Sequence, residues 1–217
     1  MKKALLVVFC AVSLYMCAYG SGPYPFGKTW HDNVNIPVKD YMAGLRQGNY
    51  VHIDDYMEFL PLTASVLLSL HKDYREGWQD RLLLAGTGTA IMGLIVKSLK
   101  YAVLEPRPDG SNNYSFPSGH TAATFTGAEL IRLEYGGGLG AVAYTVAIAT
   151  GVLRMYNEKH WCNDVLAGAG IGIFSAHAAY WLLPWERRQL GKLSFLPYFA
   201  PDPEEGMVSG LALNITF

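Results

Sequence analysis

Three knots of polar residues interrupt an otherwise apolar chain of 217 residues. The first runs from Lys100 through Arg107 to Pro108, the second is Pro117, Ser118, Gly119 and His120, and the third is Arg154, followed by His160 and Asp164. Lys100, Arg107 and Arg154 are three cations beside apolar segments, where an unpaired charge is costly, so they call for an anion. Arginine presents a forked set of donors that matches phosphate oxygens. Ser118 and Gly119 stand where a helix would open, so its N–H groups and dipole would face the same anion. Two histidines beside a bound phosphate suit phosphoryl transfer, one as nucleophile and the other as proton donor to the leaving oxygen. Asp164 lies four residues after His160, one helical turn on, where a carboxylate fixes an imidazole tautomer.

The elements that must bring these knots together are apolar helices, expected at about 56–71, 81–102, 119–134, 138–156 and 163–183. Gly136, Gly137 and Gly138 break the third from the fourth, Pro106 and Pro108 end the segment after the second, and Pro184 is expected to close the fifth. Helices joined by short connections lie antiparallel, which puts the loops after the second and fourth helices at one end of the bundle. All three knots then meet there. Taken singly, each has a plainer reading. Lys100 and Arg107 suit interfacial snorkelling, Pro117 to His120 an ordinary helix cap, and His160 with Asp164 a capping pair or half a metal site. Their joint occurrence, in order and at one end, favours a single site.

Hydrophobic residues make up 51% of the chain and charged ones 16%, against roughly 25% charged in a typical soluble domain. Intrinsic disorder is excluded, and a net charge of -1 leaves no basic surplus for nucleic acid. Charge-free runs of 19 and 21 residues, at 135–153 and 165–185, reach membrane-spanning length, whereas 82–96 and 59–71 are shorter. The fold expected is all-α: an antiparallel, membrane-embedded bundle of about five helices, with a soluble bundle as the alternative. Residues 1–20 read as a signal peptide, with Lys2 and Lys3 ahead of an apolar run and Ala18, Tyr19 and Gly20 as the cleavage pattern. Its removal leaves Cys162 as the only cysteine and excludes a disulfide within one chain. Residues 21–55 read as a mostly irregular arm. In the 186–217 tail, alternation at Leu211, Leu213, Ile215 and Phe217 predicts a small hairpin with 193–199.

The knots resemble the type 2 phosphatidic acid phosphatase superfamily, which also holds bacterial class A acid phosphatases and vanadium haloperoxidases. The pattern Lys-x6-Arg-Pro fits Lys100 to Pro108, Pro-Ser-Gly-His fits 117–120, and Arg-x5-His-x3-Asp fits Arg154, His160 and Asp164. The resemblance covers about 97–165 and leaves the arm and tail untouched. It implies that 56–185 is a helical phosphatase domain. His160 would form a phosphohistidine, Asp164 would orient it, and His120 would be the general acid. Lys100, Arg107, Ser118, Gly119 and Arg154 would hold the phosphate, with no metal or cofactor. One position departs from the pattern: Leu153 stands where the family has serine, which removes a hydroxyl donor.

A leader that exports the arm places the site outside the membrane. Lys72, Arg75, Arg81, Arg132, Arg187, Arg188 and Lys192 then fall on the opposite, cytoplasmic side, as basic residues prefer. The expected partners are the membrane and a lipid phosphate: lipid A, undecaprenyl diphosphate or a glycerophospholipid. The expected location is the bacterial inner membrane, with the site facing the periplasm. The alternatives are a soluble periplasmic acid phosphatase, a zinc hydrolase built on His120, His160 and Asp164, and a non-catalytic anion-binding protein. A cysteine phosphatase is excluded, because Gly168 stands where a Cys-x5-Arg loop from Cys162 needs arginine.

Overall fold

The computed structural model describes residues 24–69 and 77–190, with the backbone of 193–202 and 206–215. The proposed signal peptide lies outside the described residues. The chain divides into two compact units, Met1–Ala179 and Tyr180–Phe217.

In the first unit the helices run up and down. Helix α1 (Ile36–Arg46) follows a short turn at Lys28–Trp30 and a π turn at His31–Asn35. Two short helices, α2 (Asp54–Met57) and α3 (Leu60–Leu68), come next, then α4 (Trp78–Val103), α5 (Gly119–Tyr135), α6 (Gly137–Tyr156) and α7 (Cys162–Leu190). The arm expected to be mostly irregular is thus helical over 28–46. Pro37 reads as a breaker, but it sits in the first turn of α1, where its missing N–H costs little, just after a wider π turn.

Three helices are long and apolar enough to cross a membrane: α4, α6 and α7. The charge-free run in α4 is short by itself. The helix nevertheless extends over 26 residues, about 39 Å at 1.5 Å per residue, and its charges cluster toward the ends. Leu82, Leu94, Val142, Ile148, Val152 and Leu166 are exposed on these helices. Pro184 does not close α7, which continues to Leu190. The loss is one N–H, and Glu186, Arg187, Arg188, Gln189 and Leu190 are strong helix formers that carry the helix on.

Alanine and glycine occupy many of the helix contacts, so backbones approach closely there. Ala122, Ala128, Ala147, Ala176 and Ala179 are fully buried or nearly so, and Met92, Val96, Ala122 and Ile171 form one cluster. A Cβ at Gly168 would lie 2.6 Å from the Ser118 carbonyl oxygen, and one at Gly172 2.5 Å from that of Ala122, so α7 lies against α5 with only hydrogen between them. Gly136, at φ 89, makes the tight reversal from α5 into α6. At the far end, the Arg81 guanidinium donates to Glu134 at 2.8 Å, which ties the start of α4 to the end of α5. In the second unit, β1 (Leu193–Asp202) pairs antiparallel with β2 (Gly206–Ile215), with Leu193 opposite Ile215.

Candidate active site

Alternation of the helices brings the α4–α5 loop and the α6–α7 loop together. The Asp109 amide donates to the Glu158 carbonyl at 3.1 Å, the Ser118 amide to that of Asp164 at 3.0 Å, and Lys159 pairs with Asp109 at 2.8 Å. Against burial, which raises it, the Lys159 ammonium and the Ser111 amide hold the Asp109 carboxyl down at about 2.

His160 and Asp164 are both buried, and Asp164 Oδ2 gathers three donors. These are Ser115 Oγ at 2.5 Å, the Trp161 amide at 2.9 Å and His160 Nδ1 at 3.4 Å. With the proton on Nδ1, Nε2 keeps its lone pair. Burial pushes the His160 imidazole down to about 4, more strongly than Asp164 raises it, so the ring is neutral at neutral pH. A small cleft bounded by Asn35, Lys39, Pro108, Met155 and Trp161 reaches this residue.

The three cations sense one another. Arg154 is among the charges acting on Lys100, Arg107 and His160, and burial, then Arg154, lowers the Arg107 guanidinium from its ordinary value. Lys100 Nζ donates to the carbonyls of Tyr114 at 2.6 Å and Ser115 at 3.3 Å, so it also ties down the loop before α5. Nε of Arg107 and Nε of Arg154 are buried with no partner among the described residues.

Ser118, expected to hold the phosphate, stands at the start of α5. Its hydroxyl lies 2.9 Å from Thr121 Oγ1 and accepts from the Thr121 amide at 3.4 Å, and its own amide is taken by Asp164. It caps α5 and locks the helix start to α7. Gly119 opens the helix, where a Cβ would make only ordinary contact with Val96 at 3.7 Å. Leu153 is half-buried in α6, one residue before Arg154.

Sequence reasoning missed the acidic residues of α2 and the connection after it. Arg154 pairs with Asp54 at 2.8 Å and with Asp55 at 2.9 Å, and Asn157 fastens this segment by bonds to Val51 and Asp54. His120 Nε2 lies 3.3 Å from Asp55 Oδ1, and Nδ1 lies 3.3 Å from Glu58. The same oxygen, Asp55 Oδ1, thus lies between His120 and Arg154. Burial, followed by Arg154, pulls the His120 imidazole down to about 4, although Asp55 and Asp54 oppose this. Glu58 thus faces His120, and burial raises its carboxyl. Nothing in the spacing of 54–58 signals this, because the arm docks through tertiary contacts alone.

Residues 81–188 match the PAP2 superfamily. The chain is 38% identical over 138 residues to the lipid A 1-phosphatase of Porphyromonas gingivalis, an alignment that takes in 61% of this chain and 31% of that protein. It is 37% identical over 82 residues to the bacitracin transport permease protein BcrC of Bacillus licheniformis, covering 38% of this chain and 36% of that one. The chain therefore spans about a third of the length of these curated relatives. The crystal structure of Aquifex aeolicus LpxE shares its fold, with a TM-score of 0.51 at 22% identity over 65% of this chain and 93% of the other. Because the match over 81–188 begins inside α4 and ends inside α7, and so takes in both loops that build the site, this chain belongs to the PAP2 superfamily.

Proposed function

We propose that this chain is a membrane-bound phosphoric monoester hydrolase that removes phosphate from a lipid phosphate through a phosphohistidine on His160. The observation that carries the reading is the company around His160. A neutral imidazole held by Asp164 stands beside Lys100 and Arg154, and the guanidiniums of Arg107 and Arg154 keep a buried Nε without a partner among the described residues. Such donors favour the extra charge of a phosphoryl group in transit.

The steps follow from these groups. Lys100, Arg107, Arg154 and the opening amides of α5 bind the phosphate. His160 Nε2 attacks phosphorus, and Asp164 stabilises the imidazolium that forms. His120 gives its proton to the leaving alkoxide, and water then releases phosphate from His160. A phosphate dianion between His120 and Arg154 raises the His120 imidazole, so binding itself prepares the acid.

Three apolar helices support a site at a membrane surface, and the similarity to a lipid A 1-phosphatase supports lipid A as first candidate, before undecaprenyl diphosphate and glycerophospholipids. The excess of Arg and Lys at the opposite helix ends supports a periplasmic site in the inner membrane. On this reading 1–20 is a signal peptide, 56–185 the catalytic domain and 186–217 an accessory tail.

The test is phosphate release by the full chain from lipid A, undecaprenyl diphosphate, phosphatidylglycerophosphate, phosphatidic acid and p-nitrophenyl phosphate, with and without His160→Ala. The variant is expected to lose at least about a thousandfold. Activity should survive a chelator and fall with vanadate. Equal turnover by the variant would remove His160 as nucleophile, and loss of activity with chelator would favour a metal hydrolase.

A further inference from the structure

A second buried carboxyl stands behind the proposed nucleophile. Leu104 ends α4 in the left-handed region at φ 54, and the turn carries Glu105 inward, where it is 1% exposed. The Ser115 amide donates to the Glu105 carbonyl at 2.9 Å, which fixes its backbone. Its carboxyl meets the carboxyl of Asp164, which is itself fully buried. Asn163 Nδ2 approaches both Glu105 oxygens, at 3.4 and 3.3 Å. Among the described residues neither carboxyl is paired with Lys or Arg. Lys100, which senses both carboxyls, turns its ammonium to the Tyr114 and Ser115 carbonyls.

Two ionised carboxylates cannot share such a place, and a hydrogen bond between them needs one proton. The donors decide which group holds it. Asp164 Oδ2 has Ser115, Trp161 and His160, which favour the ionised form, whereas among the described residues Glu105 has only the long Asn163 contacts. Asp164 Oδ1 is buried and has no N–H or other O–H facing it among the described residues. A proton on Glu105 supplies the missing donor.

We propose that Glu105 is a positioning residue of the reaction: its protonated carboxyl donates to Asp164 and so fixes the carboxylate that orients His160. Burial and the neighbouring Asp164 agree, pushing the Glu105 carboxyl up to about 10, with Lys100 opposing weakly. The arrangement extends outward. Asn35 Nδ2 donates to Asn163 Oδ1 at 2.6 Å, and Asn35 Oδ1 accepts from the Asn163 amide at 3.4 Å. Asn35 belongs to the π turn before α1 and is buried, so the amide facing Glu105 is held by the N-terminal arm.

This assignment rests on the phosphatase reading for its kinetics but not for its protonation state, and two readouts separate them. The infrared spectrum of the full chain in detergent at neutral pH should show a carboxylic-acid C=O stretch that is lost in Glu105→Gln. Glu105→Gln keeps an N–H donor and should keep kcat within a few-fold. Glu105→Leu keeps none and should lose about tenfold to a hundredfold in kcat with KM little changed. An unchanged carboxylic-acid band in Glu105→Gln, or full kcat in Glu105→Leu, would overturn the proposal. Should Glu105→Leu fail to fold, the infrared comparison decides alone. Wild-type protein that turns over none of the phosphates but shows the band would count against the phosphatase reading and leave the Glu105 proton standing.

Discussion

A charge cluster lies at each end of helix α5. Toward its C-terminus, Glu129 is buried and accepts from Arg132 at 2.7 and 2.6 Å and from Tyr144 at 2.6 Å, and His177 Nε2 lies 2.8 Å from its Oε1. Glu129 thus ties α5, α6 and α7 together. These contacts satisfy both of its oxygens. The N-terminal cluster is different. Nε of Arg107 and Nε of Arg154 are buried and lack partners among the described residues. A buried polar group without a partner costs roughly 1–3 kcal/mol, so folding alone gives no reason to keep two in one place. The first cluster is matched within the chain. The second keeps donors for something that arrives.

Substitutions can separate the two clusters. His160→Ala should cost at least about a thousandfold in phosphate release and leave the thermal midpoint nearly unchanged. Glu129→Ala should do the reverse, lowering stability by about 2–3 kcal/mol through an emptied site and unmatched partners, with activity per folded molecule retained. Melting curves beside specific activity check both, and a Glu129 variant that is stable but inactive would erase the distinction. Arg107→Ala removes a forked donor from the N-terminal cluster. A loss of about tenfold to a hundredfold in kcat/KM is expected, without a fall in melting temperature.

The smallest effect is on pH. In the unfolded chain histidine takes up a proton near 6.5, whereas folded His160 and His120 do so only near 4. Between these values the unfolded state binds more protons, so their contribution to stability is full above about 6.5 and falls as pH drops toward 4. The melting temperature should therefore decline from pH 7 to pH 5, less steeply in His160→Gln. An equal slope in the variant would show that His160 is not held neutral by the fold.

The helices were legible because their apolar runs are long and their breaks are glycine and proline. The convergence of Lys100, Arg107, His120, Arg154, His160 and Asp164 followed from alternation of helix direction, and the loops do meet. Other features were not legible. Asp54, Asp55 and Glu58 lie about a hundred residues before Arg154 in sequence, and only docking of the arm brings them to it. Glu105 falls among the unspecified positions between Lys100 and Arg107, and its inward course depends on the left-handed turn at Leu104, an uncommon conformation for leucine. Asn35 and Asn163 carry no charge and no periodic signature, so their pairing appears only in three dimensions.

The central claim is a covalent bond between His160 and phosphorus. Rapid quenching during turnover of a phosphorus-labelled substrate, under alkaline conditions that preserve phosphohistidine, tests it directly. The account predicts label on the peptide that contains His160, and none in His160→Ala. Turnover with label on another residue, or with none at any time, would contradict it.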